Sequence, residues 1–157
     1  MRAGSDDPVL AGEDIRLLAE IGYLACGAGR LKSAREIFEG LHVLRPDRAF
    51  PFIGLAMASM AAGAPQDAVS VLRDRGLVAS PDDNEIKVFL GLALTLASRN
   101  HESRRILSEV AAAPGDAGPE QRLAEKLLEH AGTSHASGPA ADTALAPASR
   151  PTRIEPI

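Results

Sequence analysis

Apolar residues recur along this chain at intervals of three and four, the spacing of helices that bury one face. Leu18, Ile21, Gly22 and Ala25 form one such set, Phe52, Leu55, Ala56 and Ser59 a second, and Leu90, Gly91 and Leu94 a third. After each set comes a more polar block with its own pattern. Gly29-Arg30-Leu31-Lys32-Ser33-Ala34-Arg35-Glu36-Ile37-Phe38 is followed 34 residues later by Gly63-Ala64-Pro65-Gln66-Asp67-Ala68-Val69-Ser70-Val71-Leu72. After a further 35 residues stands Ser98-Arg99-Asn100-His101-Glu102-Ser103-Arg104-Arg105-Ile106-Leu107. Pro46, Pro81 and Pro114 lie beyond the blocks, where proline disfavours helical geometry in the residue before it. The pattern predicts helices over about 12–27, 31–44, 50–62, 66–78, 84–98 and 101–112. A seventh, about 119–131, opens on Pro119-Glu120 and sets Leu123, Leu127 and Leu128 at helical spacing. Asp82, Asp83 or Asn84 is placed to cap the fifth helix.

The paired helices form a repeat. Small residues at Gly22, Ala56 and Gly91, and at Ala34, Ala68 and Ser103, let the two helices of each unit approach closely. Phe38, Leu72 and Leu107 are large enough to fill the space between units. An alanine-rich bundle of accidental spacing would not restore these position types three times. The period and pattern resemble the tetratricopeptide repeat, a helix-turn-helix unit of about 34 residues. The expected fold is all-α: three tetratricopeptide-like repeats at about 15–48, 49–82 and 84–117, closed as an α-solenoid by a capping helix over 119–131. Glu120, Arg122, Glu125, Lys126 and Glu129 give that helix a polar outer face. Residues 132–157 are small, polar and proline-rich, and are expected to be disordered because they bury too little to offset ordering entropy; residues 1–11 are expected to share that state.

Composition narrows the function. With 28 Ala and 19 Leu, 3% aromatics and no Trp, the chain lacks the residues of a sheet protein or a base-stacking platform. A formal net charge of −4 without a basic stripe argues against nucleic acid and anionic membrane as partners. Cys26 is the only cysteine, no run of about 18 apolar residues occurs, and the first residues carry two acids and no apolar signal core. A cytoplasmic protein is expected. His42, His101, His130 and His135 stand at no spacing that suggests a metal site or a catalytic triad, and Gly27-Ala28-Gly29 follows a helix and has no phosphate-binding Lys. No enzyme, metal or cofactor is expected.

The first helix of each unit carries a second apolar stripe beyond the one its partner needs. Phe50, Ile53, Met57 and Met60 form it in the second unit; the same offset yields Arg16, Ala19, Tyr23 and Cys26 in the first, and Glu85, Val88, Leu92 and Thr95 in the third. The resemblance to tetratricopeptide proteins implies that these positions line a concave surface. The candidate groove is therefore Tyr23, Cys26, Phe50, Ile53, Met57, Met60, Val88 and Leu92, with Arg16 and Glu85 on its rim. Ordinary packing between repeats is the competing reading. Grooves of this type take an amphipathic helix or an extended peptide, and methionines adapt to varied guests.

Three repeats, a closing helix and an acidic balance resemble the small tetratricopeptide chaperones of bacterial type III secretion systems. The segment Ala28–Leu41 is similar to their first repeat, and Phe50-Pro51-Phe52-Ile53-Gly54-Leu55-Ala56 to their second. Two classes compete. Translocator chaperones have a helical region ahead of the first repeat, and only about a dozen polar residues stand there in this sequence, so the resemblance favours the needle-subunit class. It then implies a guest helix of the needle subunit, shielded from premature polymerisation, with a second small chaperone as a further partner. A general tetratricopeptide scaffold unrelated to secretion is the alternative from outside these systems.

Overall fold

The computed structural model describes residues 10–114 and 118–133. Seven helices and no strand are found among them. They are α1 (Gly12–Gly27), α2 (Leu31–Leu44), α3 (Phe50–Ala61), α4 (65–79), α5 (Asn84–Leu96), α6 (Asn100–Ala111) and α7 (Pro119–Thr133). Each helix packs on the next, and α1, α3, α5 and α7 also lie side by side. This is the arrangement of stacked helical hairpins, the expected solenoid. Most of the expected disorder at 1–11 and 132–157 lies outside the described residues. Leu10 is half-buried against the first core cluster, and α7 runs two residues past the expected 131.

The three turns inside the hairpins share one geometry, which anchors the repeat register. Gly29 and Gly63 have φ of 72° and 74°, and Ser98, the only non-glycine residue with positive φ among the described residues, has 61°. Each turn closes with the same two backbone bonds. The N–H groups of Gly29, Gly63 and Ser98 donate to the carbonyls of Cys26, Met60 and Thr95, at 3.1, 3.0 and 3.0 Å. Those of Arg30, Ala64 and Arg99 reach Ala25, Ser59 and Leu94, at 2.8, 2.9 and 2.8 Å. These bonds satisfy carbonyls that the helix end leaves without partners. At the start of α5, the Ile86 N–H donates to Asp83 Oδ1 at 3.0 Å, so Asp83 is the cap.

Helix α4 holds an irregularity. Its first turns are Pro65–Ser70, its middle, Val71–Gly76, is π-helical, and Leu77–Ala79 is a last α turn. The interval from the turn residue to the following proline is 17 residues in the first unit (29 to 46) and 18 in the second (63 to 81). A π turn, with bonds one residue longer than α, accommodates the extra residue without rotating the flanking turns off the core. The segment also sends arginines to both neighbours. Arg75 makes a two-pronged ion pair with Glu39 of α2, 2.9 Å at each prong, and Arg73 reaches Glu102 of α6 at 3.1 Å.

The core runs the length of the stack. Phe38, Leu72 and Leu107, the residues expected between units, are wholly buried. A Cβ on Gly22 would stand 2.7 Å from Phe38 Cζ, and one on Gly91 would stand 2.6 Å from Leu107 Cγ, so these glycines set how closely the helices of a hairpin approach. The small residues of the second helices, Ala34, Ala68 and Ser103, are buried too; Ser103 Oγ donates to the Gly91 carbonyl at 2.7 Å. At the C-terminal end α7 closes the stack, burying Ala124 against Val88, Leu107 and Val110. Gln121 ties it down by accepting from the Gly118 N–H and donating to the Ala113 carbonyl. Arg104 of α6 adds a further tie, its Nη2 donating to the Ala131 carbonyl at 2.9 Å. At the opposite end α1 leaves Leu17, Ile21 and Leu24 exposed.

Candidate functional site

The face shared by α1, α3, α5 and α7 is where the sequence placed its groove. Helix α3, at the centre, is enclosed by α1, α2, α4 and α5. Eight of its residues are buried, which is why it reads as apolar all round: one set serves its hairpin and another serves the neighbouring units. Its remaining side holds Phe50, Met57 and Met60, all half-buried. It has no charged residue from Phe50 to Ala61. Ile53 is only 2% exposed and belongs to the central core cluster. Its expected place on an open groove is corrected: it packs inside, among Phe52, Leu90 and their neighbours.

The same correction applies on both sides. On α5, Val88 is 2% exposed and packs with Leu107, Val110 and Ala124. Thr95 turns toward α6, where its hydroxyl donates to the Gly91 carbonyl and is 2.8 Å from Ser103 Oγ. The open side of α5 instead runs Glu85, Phe89, Leu92 and Leu96, with Leu92 half-buried and Leu96 exposed. On α1, Tyr23 is half-buried, whereas Cys26 is a core residue. Burial pushes the Cys26 thiol up, away from the reactive thiolate. Of the eight expected groove residues, the structure leaves Tyr23, Phe50, Met57, Met60 and Leu92 partly open and buries Cys26, Ile53 and Val88. Phe89 and Leu96 were missed. Their signal was present, since Glu85, Phe89, Leu92 and Leu96 are as regular a helical stripe as the one chosen.

Tyr23 joins the first unit to the second. Its ring lies 4.9 Å from that of Phe38, and its hydroxyl donates to the Phe50 carbonyl at 3.3 Å. The phenol is pushed up to about 12, first by burial, then by the negative charge of Glu85 and by Cys26. The influence of Glu85 on Tyr23 links the third unit to the first across this face. Beside Tyr23, with Glu20, Leu24, Gly27 and Ala28, lies an open depression of about 730 Å³. Arg16, expected on the rim, is exposed and pairs with Glu20 at 3.1 Å.

Among the described residues no three His, Cys, Asp or Glu side chains gather as a metal site requires. His101 is exposed in the first turn of α6, and the His42 ring lies 4.7 Å from that of Phe52. Among the described residues no helix is long and apolar enough to cross a membrane. What the face does offer is a half-open apolar strip about three helices wide, with two methionines at its centre.

No protein-family model matches the sequence, and no curated protein matches it. Solved structures do. The type III secretion translocator chaperone SycD of Yersinia enterocolitica superposes with a TM-score of 0.64 at 18% identity, over 76% of this chain and 91% of that one. The chain shares the all-α helical-repeat fold of that structure. PcrH of Pseudomonas aeruginosa matches with a TM-score of 0.62 at 18% identity, over 82% of this chain and 98% of PcrH. PcrH in complex with the chaperone binding region of PopB matches with a TM-score of 0.60 at 20% identity, over 80% and 97%. At such identities the likeness establishes the all-α repeat fold.

Proposed function

We propose that the protein is a cytoplasmic chaperone of type III secretion, of the translocator class, which holds a segment of a secreted translocator protein on its inner face. The observation that carries this is the half-open apolar strip of Tyr23, Phe50, Met57, Met60, Phe89 and Leu92 on the shared face of α1, α3 and α5. The fold likeness to PcrH, solved with the chaperone binding regions of PopB and of PopD, supports a polypeptide guest. It also favours a translocator over the needle subunit preferred from sequence. Burying an apolar stretch of the guest would keep it from associating with its own kind or with membrane before export. A contact of this specificity typically buries about 1,200–2,000 Å² in total. No step of this work needs catalysis, a metal or a cofactor.

The experiment is co-expression with the translocator and needle-subunit genes of the native host, followed by affinity purification and mass spectrometry. The expected result is a stoichiometric complex with an otherwise insoluble translocator, lost on Met57→Glu/Met60→Glu substitution. Recovery of a needle subunit would restore the other class. Recovery of neither, with both co-expressed, would leave a general repeat scaffold as the better reading.

A further inference from the structure

The inner face changes character at its C-terminal end. Between α5 and α7 lies a slot of about 200 Å³ lined by Glu85, Val88, Phe89, Pro119, Glu120 and Leu123. Its walls are apolar, and Leu123 stays 41% exposed beside it. Two of its six lining residues are carboxylates. Among the described residues neither Glu85 nor Glu120 forms a salt bridge. Burial, then the charges of Asp83 and Glu120, holds the Glu85 carboxyl above its usual range. Among the described residues, Lys87 pairs with Glu109 of α6 at 3.0 Å, Arg16 pairs with Glu20 on α1, and α3 bears no charge.

Resting on the guest-binding reading above, we propose that this slot receives an apolar side chain of the guest next to a lysine or arginine. The guest's cationic end then lies over α5 and α7, and its apolar stretch runs back across Met57 and Met60 toward Tyr23. Charge complementarity selects this occupant. The slot offers apolar walls to a side chain and, to a neighbouring cation, two carboxylates that form no salt bridge among the described residues.

Selection from a phage-displayed library of random peptides tests this without a known guest. The wild-type chain is expected to select apolar peptides with Lys or Arg enriched on one side. Glu85→Gln/Glu120→Gln is expected to select apolar peptides without that enrichment, and to bind the wild-type-selected peptides about tenfold more weakly at low salt. Unchanged helical circular dichroism certifies the variant. If peptides dependent on Met57 and Met60 are selected without cationic enrichment, or with enrichment unchanged in the double variant, the charged slot is wrong and the groove stands. If no selected peptide depends on Met57 and Met60, both readings fall. Two further outcomes overturn the slot's occupant. One is a chain truncated after residue 133 that alone selects binders. The other is a dimer that the selected peptides do not compete with in sedimentation.

Discussion

The ring of Phe38, on α2, occupies the space that a side chain on Gly54, on α3, would need; its Cδ1, Cε1 and Cζ atoms are the nearest to that missing Cβ. The same ring is met from the other side by Gly22 of α1. One phenylalanine therefore fixes the spacing of three helices, and with it the angle between the first two units. Gly54→Ala should destabilise the fold by about 1–3 kcal/mol, although alanine is the better helix former by about 1 kcal/mol. Gly40, on α2, has nothing within 4 Å of its would-be Cβ, so Gly40→Ala should be neutral or stabilising. Urea unfolding of both variants checks the contrast. Relief of the Gly54→Ala defect by a second substitution, Phe38→Leu, would assign it to the ring.

Ser98 holds the backbone conformation that its counterparts Gly29 and Gly63 adopt freely. A side chain in the left-handed region costs about 1–2 kcal/mol, partly offset by the lower entropy of the unfolded chain relative to glycine. Ser98→Gly should therefore stabilise the protein by about 0.5–1 kcal/mol. Gly63→Ala, in the equivalent turn, should destabilise it by about 1 kcal/mol. Thermal unfolding of the two variants should move in opposite directions. A common direction would mean that the turns do not share one geometry.

Much of this architecture was legible because it depends on residue size and on punctuation. The glycines and alanines at close crossings, the prolines after the second helices and the three turn residues each act locally, so spacing alone located them. Burial around a helix was harder to read. Helices α3 and α5 are enclosed by four neighbours each, and with apolar residues on nearly every side a stripe does not say which side is open. For this reason Val88 was chosen where Phe89 is open, and Ile53 was taken as surface. Nothing local marks the bonds of Arg75 to Glu39 or of Arg104 to the Ala131 carbonyl, which join residues 36 and 27 positions apart.

Burial separates the groove residues into two classes with opposite expectations. Met57 and Met60 are half-buried, so Met57→Glu/Met60→Glu leaves the new carboxylates a route to water. The helical circular dichroism should hold, at a cost of about 1–2 kcal/mol, while the guest is lost. Ile53→Glu puts a charge at a position 2% exposed with no cation at hand, and should cost more than about 4 kcal/mol or prevent folding. Circular dichroism and co-purification of the guest, measured on the same preparations, distinguish lost binding from lost fold. Equal unfolding of both variants would place Met57 and Met60 in the core.

Tyr23 reports on the inner face by itself, because the chain has one tyrosine and no tryptophan. Its phenol is pushed up to about 12 in the fold, against about 10 when unfolded. Between these values the unfolded chain has lost a proton that the folded chain keeps, so alkali favours unfolding there. The contribution of Tyr23 is complete below about pH 10 and is lost as the pH rises through about 12. Phenolate absorbance should accordingly appear late, with its midpoint near 12 in the folded protein and near 10 in urea. Tyr23→Phe keeps the ring against Phe38, gives up the bond to the Phe50 carbonyl and should flatten this part of the stability profile. Glu85→Gln removes a charge that opposes phenolate formation and should lower the midpoint without altering the ring contact. If the midpoint stays fixed, burial and Cys26 raise the phenol without Glu85, and the electrostatic link from the third unit to the first across the inner face is refuted.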